Sequence, residues 1–441
     1  MKPTKTVHLH EYLPLLPKPR VRAEIDTDAL ADNYRALLAR VTSVFPGTEG
    51  IAVVKADAYG HGIRPAVGAL LSAGCRAFAV ATPEEAVALR RLLRRAHADI
   101  PAPLILVLGY AAPETTAHLA AYDITVALLS DDHAAAMEAC ARRLGVTIRA
   151  HAALDTGMNR IGYPAHTQAE MAETVDALVA RFGRFEQSTT APGLRLDGLF
   201  THFARADEDF DTEMRTPDSL TMTQYSRYRS VLNQLIARGL RPRLCHICNS
   251  AASVRFPEFQ REALPGELPK NLPGALSDGC FDAVRLGINL YGYGVTPSSG
   301  KAITRPAMKL VTTVVHVHGL LPGESVGYGG TYVSESPRTL VTLPIGYADG
   351  WIRAFTGALV TLHTPVGDFP VPIVGRICMD QCMADITDLP ADARASVAPG
   401  TPVTLFGSTA AELELLAERA HTISYELLCL ITARVPRIYH S

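Results

Sequence analysis

Between residues 50 and 290 the sequence alternates short apolar runs, rich in β-branched residues, with amphipathic stretches of helical period. This alternation is typical of βα units that build a parallel sheet. The predicted strands are residues 50–55, 77–82, 103–109, 124–129, 147–155, 196–203, 244–250 and 283–288. Eight such units favour an α/β fold of the closed (β/α)8 TIM-barrel type over an open doubly wound sheet.

Two of the helices between these strands have clear signals. Pro83 opens a helix predicted over 83–95, and a second helix is predicted over 222–238. The apolar face of the second helix is expected to consist of Tyr225, Tyr228, Leu232, Leu235 and Ile236.

Beyond residue 293 the helical period ends, and β-rich runs separated by Gly and Pro follow, with one helix predicted near 410–419. The predicted domains are an N-terminal extension (1–20), a barrel (21–293) and a mainly β C-terminal domain (294–441). Residues 21–26 read as a strand outside the barrel count. Two long loops are predicted, over 204–220 and 257–280.

Composition narrows the class of protein. Hydrophobic residues make up 48% and charged residues 20% of the chain, and the formal net charge is −2. This is a globular balance without a basic tract, so neither a nucleic acid nor a membrane is expected as a partner. Pro14 and Pro17 interrupt the apolar residues near the N-terminus, and we therefore expect a cytoplasmic protein.

The eight cysteines show no disulfide-framework spacing, so we expect thiols. Cys245 and Cys248 flank His246, but half of a ligand set is weak support for zinc, and no metal is predicted.

Polar residues concentrate where the predicted barrel strands end. These residues are Lys55, Arg160, His202, Asn249, Ser250 and Arg285. Because TIM barrels place their active sites at the carboxyl ends of the strands, the six side chains are candidates for one site. Each of them alone has a plain structural explanation, and it is their shared position that favours function.

A phosphate-bearing cofactor fits this rim. Small residues follow the seventh and eighth predicted strands, in NSAAS (249–253) and LGI (286–288), where barrels frequently bind phosphate through backbone N–H groups. Lys55 ends the first predicted strand. A lysine at a buried strand end can form a Schiff base with a carbonyl cofactor, because desolvation favours its neutral amine.

Eight runs together resemble the alanine racemase family in their order and spacing. They are AVVKADAYGHG, LDTGMNRIG, GLFTHFARAD, ICNSAAS, DAVRLGINLYG, VGYGGTY, LPIGYADGW and VGRICMDQC. The resemblance spans residues 21–440 and implies an enzyme dependent on pyridoxal 5′-phosphate (PLP). It implies interconversion of L- and D-alanine, either to supply D-alanine for peptidoglycan or to break down L-alanine.

The resemblance assigns catalytic roles to Lys55, which would bind PLP and act as one base, and to Tyr328, which would act on the opposite face of the substrate. In the family this tyrosine comes from the second subunit, so a homodimer is implied. Racemisation removes a proton from one face and returns one to the other, which makes two opposed groups a natural arrangement.

The resemblance also implies binding roles. The cofactor contacts would be Lys55, Tyr59, Arg160, His202, Asn249, Ser250, Arg285, Gly287 and Ile288, and the substrate contacts would be Arg160, Tyr347, Cys378, Met379 and Asp380. Arg285 would face the pyridine nitrogen, and His202 would link Arg285 to Tyr328 through hydrogen bonds. Tyr347 would line the channel to the site.

Two positions depart from the family pattern. Ala153 stands where many members have a modified lysine that supports the arginine of the DTG segment, here Arg160. Ala433 stands where some members have a tyrosine that contacts the phosphate. The loop over 257–280 is also longer than the usual family connection.

Three other functions remain open. One is a racemase of broad specificity or with a preference for serine. The second is a PLP-dependent decarboxylase of basic amino acids, which shares the architecture. The third is a PLP-binding barrel that only buffers cofactor, although such a protein would need neither a β domain nor a second base.

Overall fold

The computed structural model describes residues 19–183, 193–262 and 281–441. It divides into two compact units. The barrel unit is Thr27–Arg305, and the β-rich unit consists of the residues up to Asp26 together with Pro306–Ser441. The first strand, β1 (Val21–Asp26), is part of the β-rich unit. Most of the predicted N-terminal extension and residues 263–280 of the predicted long loop lie outside the described residues.

A closed parallel barrel forms the centre of the barrel unit. Its eight strands in the described part of the chain are β2 (Glu49–Val53), β3 (Ala77–Val80), β4 (Leu104–Val107), β5 (Thr125–Leu128), β6 (Thr147–Asp155), β8 (Gly193–Thr201), β9 (Leu244–His246) and β10 (Ala283–Leu286). The short β7 (Tyr163–Pro164) pairs with β6 beside the barrel. Pairing of β10 with β2 and of β5 with β6 closes the circle. The predicted TIM-type fold is therefore confirmed.

Helices follow most of these strands. They are α1 (Thr27–Thr42), α2 (Lys55–Tyr59), α3 (Ile63–Ser72), α4 (Pro83–Ala96), α5 (Thr116–Ala121), α6 (Asp131–Leu144), α7 (Gln168–Phe182), α8 (Phe210–Met214), α9 (Leu220–Ala237) and α10 (Ser250–Glu262). Of these, the short α2 is a turn with a left-handed backbone. Side-chain caps fix several of their starts. Thr82 accepts the N–H of Glu85, and Thr167 and Glu170 form a capping box.

Three local predictions in this unit need correction. Ile236 is 44% exposed and does not belong to the buried face of α9. The short helix α8 lies inside the predicted loop over 204–220. Residues 257–262 continue α10 rather than forming a loop, although Pro257 lies inside that helix. Phe256 and Phe259 of α10 are buried, and their packing outweighs the proline.

The β-rich unit contains the other sheet strands. They are β11 (Met308–Thr313), β12 (His316–Leu320), β13 (Ser325–Val326), β14 (Tyr332–Val333), β15 (Arg338–Leu343), β16 (Leu359–Thr364), β17 (Gly367–Val374), β18 (Cys382–Asp385), β19 (Pro402–Phe406) and β20 (Arg437–His440). The main sheet has the order β12-β15-β18-β17-β16-β19-β11-β1-β20. β1 pairs with β11 and β20, and the compact barrel unit begins at Thr27. The division between the two compact units falls between Arg305 and Pro306, and the domain bounds predicted from the sequence stay predictions.

This unit has more helix than the sequence indicated. The predicted helix near 410–419 is present as α12 (Ala410–Arg419). The expectation that it would be the only one is wrong, because α11 (Ala391–Ser396) and α13 (Ser424–Leu430) are also helical. Both are too short to produce a helical period in the sequence. Across the described ranges, none of the helices combines the length and apolar character that a membrane crossing requires.

Candidate active site

Lys55 follows β2 and begins a turn with an unusual backbone. The next four residues, Ala56 to Tyr59, all have positive φ values, between 51° and 57°. A left-handed backbone costs a residue other than glycine about 1–2 kcal/mol. The surrounding structure must therefore hold this turn in place.

Two carboxylates provide that support. Glu85 on α4 accepts hydrogen bonds from the N–H groups of Ala56 at 2.7 Å and Ala81 at 2.8 Å. Asp57 accepts the N–H of Ile63, the first residue of α3, at 2.7 Å. The lysine turn is thus tied to both neighbouring helices, and the backbone position of the lysine is fixed.

Arg285 lies on β10, the strand next to β2, and is 2% exposed. Its Nη1 donates to Nδ1 and to the carbonyl oxygen of His246, at 2.6 and 2.8 Å. Its Nη2 donates to the carbonyl oxygens of Thr201 at 2.6 Å and Ile247 at 3.1 Å. Burial lowers the pKa of Arg285 to about 10, so the guanidinium is still a cation at neutral pH.

His202 follows β8 and lies close to the predicted cations. Burial, and then the positive charges of Arg285, Arg160 and Lys55, hold the pKa of His202 well below its usual range. The predicted hydrogen bond between Arg285 and His202 is not formed within the described residues, where the histidine bonded to Arg285 is His246. His202 is therefore a neutral imidazole that lies near Arg285, Arg160 and Lys55.

Arg160 is exposed and forms no hydrogen bond or ion pair in the part of the chain that the structure describes. Its loop has a defined backbone, because Asp155 accepts the N–H groups of Gly157 at 3.1 Å and Asn159 at 3.0 Å. Ala153, at the family's lysine position, is buried in an apolar cluster. The cluster consists of Ala127, Ala153 and Phe200, with Leu108 and Leu129 packed against it. The side chain of Arg160 thus lacks a polar support from position 153.

Gly287 keeps open a space between β10, α2 and α10. A Cβ atom at Gly287 would lie 3.3 Å from the Tyr59 hydroxyl and 3.5 Å from Ser250 Cβ. Ser250 begins α10, and its hydroxyl donates to Oδ1 of Asn289 and accepts the N–H of Asn289, both at 2.9 Å. Ile288 begins the turn that follows Gly287. A helix N-terminus beside a glycine and two hydroxyl groups is a suitable site for phosphate.

Asn249 adds a fixed side chain at the start of α10. Its Oδ1 accepts the N–H of Ala252 at 3.0 Å, and its Nδ2 donates to the carbonyl oxygen of Phe203 at 3.1 Å. Asn249 therefore shapes the first turn of α10, which supports the space at Gly287.

In the β-rich unit, two loops join into what we call the Tyr347–Met379 platform, residues 346–349 and 378–380. The N–H groups of Tyr347 and Ala348 donate to the carbonyl oxygens of Cys378 at 3.1 Å and Met379 at 3.0 Å. A Cβ atom at Gly346 would lie 2.2 Å from the Cys378 oxygen, so only glycine allows this contact. Tyr347 is 42% and Met379 is 52% exposed.

Tyr328 begins a short turn in the same unit and is 72% exposed. Gly327 and Gly329 on either side have positive φ values of 69° and 74°. A Cβ atom at Gly329 would lie 2.6 Å from Nη1 of Arg376. Two glycines and this packing hold the Tyr328 side chain on the surface of its unit.

The predicted residues thus form two groups. In the barrel unit the structure brings the rim residues together around Arg285 and Gly287. In the β-rich unit, backbone hydrogen bonds join the segment of Tyr347 to Cys378 and Met379, and Asp380 accepts a hydrogen bond from Arg434. Sequence reasoning missed His151, the role of His246, and Asp349. The sequence signal for His151 and His246 was that each is a polar residue inside a run of strand residues. Both side chains are fully buried.

A (β/α)8 barrel with a lysine turn and a buried arginine at its rim, together with a β-rich unit, defines a class of two-domain barrel enzymes. The family model for the alanine racemase N-terminal domain matches residues 25–295, and that for the C-terminal domain matches residues 307–439. The chain therefore belongs to the alanine racemase family.

Individual relatives support the same family membership. The chain is 35% identical over 426 residues to alanine racemase 1 of Clostridium acetobutylicum, covering 95% of both proteins. It is 37% identical over 425 residues to alanine racemase of Geobacillus kaustophilus, covering 94% of this chain and 93% of that one. The crystal structure of alanine racemase from Streptomyces lavendulae superposes with a TM-score of 0.76 at 32% identity, covering 97% and 98% of the two chains.

Proposed function

We propose that this chain is a PLP-dependent alanine racemase that interconverts L- and D-alanine. The observation that carries the proposal is the arrangement at the barrel rim. The lysine turn after β2 lies beside the strand that holds the buried cation Arg285, and the Gly287 space lies at the end of that same strand. The family membership and the relatives that share this architecture support the choice of alanine.

The residues at the rim fit PLP. The phosphate would bind at the N-terminus of α10, with Tyr59, Ser250 and Gly287 around it, in the space that a Cβ atom at Gly287 would fill. Arg285 would face the ring nitrogen, and as a guanidinium it can donate to that nitrogen but cannot accept its proton. When bound, PLP supplies stabilisation of the negative charge that develops at the substrate α-carbon.

The protein then has to remove a proton from one face of the α-carbon and deliver a proton to the other face. Lys55 is held by the left-handed turn, whose backbone N–H group at Ala56 donates to Glu85 and whose Asp57 accepts from Ile63. It would remove or return the α-proton on one face of the substrate. Tyr328 would act on the other face, and Arg160 would bind the substrate carboxylate.

A second copy of the chain would complete the site. Tyr328 is largely exposed in the single chain, whereas a base has to act in a pocket from which water is excluded. The Tyr347–Met379 platform also presents exposed Tyr347 and Met379 side chains. We infer a homodimer in which these surfaces cover the barrel rim of the partner, with Cys378 and Asp380 near the substrate.

Exchange of the α-proton tests the activity. Purified protein with PLP is incubated with single amino acids in deuterated water, and both deuterium uptake and the appearance of the other enantiomer are measured. We expect alanine to exchange fastest, ahead of serine. Release of carbon dioxide from lysine, ornithine or arginine would assign the chain to the decarboxylases instead.

Borohydride reduction tests the cofactor site. Reduction of the PLP-loaded protein should leave a cofactor adduct on the peptide that contains Lys55. An unmodified Lys55 would overturn the assignment. Cytoplasmic location and supply of D-alanine for peptidoglycan stay predictions from the sequence.

A further inference from the structure

A line of hydrogen-bonded side chains runs from Arg285 into the barrel interior. Arg285 Nη1 lies 2.6 Å from His246 Nδ1, and His246 Nε2 lies 2.8 Å from His151 Nδ1. All three residues are at most 2% exposed. The ring of Phe200 stacks on His246, with centroids 4.9 Å apart, and lies 5.3 Å from the Arg285 guanidinium.

The direction of each hydrogen bond follows from its chemistry. A guanidinium has only donors, so Nδ1 of His246 must accept and must carry no proton. A neutral His246 then carries its proton on Nε2 and donates it to Nδ1 of His151. A neutral His151 consequently carries its own proton on Nε2.

Both rings are neutral for a physical reason. Burial first, and then the charge of Arg285, hold the pKa of His246 well below its usual range. Burial lowers the pKa of His151 to about 3, with Arg243 and Arg149 also lowering it and Asp197 opposing them. A second buried cation beside Arg285 would be costly, because burial removes both charges from water.

The barrel is built to hold His151 in this place. A Cβ atom at Gly198, on the neighbouring strand β8, would lie 2.5 Å from the His151 ring. Among the described residues, Nε2 of His151 has no hydrogen-bond partner. The line therefore ends at His151, and a buried polar atom is left unpaired, which is normally costly.

We propose that His151 is a positioning residue that holds the ring of His246, and through it the orientation of Arg285 toward the cofactor. Nδ1 of His151 accepts the proton that His246 carries on Nε2. Without that acceptor, a buried N–H group of His246 is left unpaired, and the ring turns away from the position in which its Nδ1 accepts from Arg285. The inference rests on the proposed function, because it takes Arg285 to face the PLP ring.

A matched pair of variants isolates the acceptor. In His151→Asn, the side-chain oxygen stands where Nδ1 stood and can accept from His246. In His151→Leu, a side chain of similar volume offers no acceptor. His133→Leu is the control for loss of a buried histidine with two ring hydrogen bonds, since His133 bonds to Ala111 and Leu129 and not to Arg285.

Neutron diffraction of deuterated crystals shows the hydrogen-bond direction and the ring positions directly, without reference to activity. We expect deuterium on Nε2 and none on Nδ1 of His246 in the wild-type protein and in His151→Asn, and a turned His246 ring with a displaced Arg285 guanidinium in His151→Leu. Deuterium on Nδ1 of His246 in the wild type, or unchanged positions of His246 and Arg285 in His151→Leu, would overturn the proposal.

Kinetics of the PLP-loaded protein provide the second readout. His151→Leu should lower kcat for alanine about tenfold, equivalent to one lost hydrogen bond, with little change in KM and with a shifted visible absorbance of the bound cofactor. His151→Asn and His133→Leu should stay near the wild-type kcat. Equal kcat values in the Asn and Leu variants would contradict the proposal. If the wild type racemises no amino acid, the proposed function fails, while the neutron result still decides the role of His151.

Discussion

The carboxylate of Asp349 binds the guanidinium of Arg20 through two hydrogen bonds of 2.6 and 2.9 Å, although 329 positions separate the two residues. The Asp349 side chain is fully buried, and Nε of Arg434 lies 3.4 Å from the same carboxylate. Arg434 also donates to Asp380 at 2.7 Å. Asp349 thus connects both ends of the β-rich unit to the Tyr347–Met379 platform.

Replacing this carboxylate should destabilise the β-rich unit. Asp349→Asn removes the negative charge between two arginines that are each more than a third exposed, so we expect a loss of about 2 kcal/mol, less than for a pair buried on both sides. We expect a correspondingly lower melting temperature in thermal unfolding, and a raised KM for alanine because the platform loosens. Asp388→Asn is the control, because Asp388 is 91% exposed beside Arg338. Equal melting temperatures for the two variants would show that Asp349 does not have this role.

Tyr328→Phe tests the second base. Removing the hydroxyl leaves the turn and its glycines intact but removes one of the two proton-transfer groups, so kcat for alanine should fall about a thousandfold. Cofactor binding, followed by visible absorbance, should be unchanged. In the matched variant Tyr332→Phe, a hydroxyl that donates to Asp385 at 3.1 Å is lost from the same region, and racemisation should persist. A Tyr328→Phe enzyme with normal kcat would exclude Tyr328 as a base.

The alternation of apolar strand runs with amphipathic helical stretches was sufficient to predict the barrel, because the eight barrel strands are mostly buried on both faces. Lys55 and Arg285 could be found for the same reason, since they stand out as charges at or near the ends of apolar runs. The placement of β1 could not be found this way. A strand six residues long has no local signal for the sheet it joins, and β1 joins the one that contains β11 and β20.

The supporting contacts of the site were also beyond sequence reasoning, because they connect residues far apart in the chain. His151 and His246 are 95 positions apart. The left-handed turn after Lys55 is a further case, since nothing in KADAY distinguishes it from an ordinary helix. A hydrogen bond that the Ala56 N–H donates to Glu85, 29 positions away, helps to stabilise the turn.

Gly287→Ala tests the phosphate site. A methyl group at this position would fill the space between the Tyr59 hydroxyl and Ser250, so PLP affinity should fall about tenfold, the equivalent of one lost hydrogen bond. The measurement is retention of PLP during dialysis, with the fluorescence of the apoprotein titrated against added PLP. Gly68→Ala on α3 is the control, since its nearest neighbour would be 4.0 Å from the new Cβ atom. Unchanged PLP affinity in Gly287→Ala would place the phosphate elsewhere.

Acid should unfold the protein partly through its buried histidines. In the unfolded chain a histidine takes up a proton near its ordinary pKa of about 6.5, whereas folded His151 does so only near pH 3. The unfolded state therefore binds more protons below pH 6.5, and the free energy of unfolding should decrease as the pH is lowered, by up to about 1.4 kcal/mol per pH unit for this residue.

Urea unfolding between pH 7 and 5 should show a smaller pH slope in His151→Asn than in the wild type. His118→Asn, on the exposed surface of α5, is the control for replacing a histidine outside the barrel interior. Equal slopes in the wild type and His151→Asn would show that His151 is protonated in the folded barrel. The hydrogen-bond direction inferred between His246 and His151 would then be wrong.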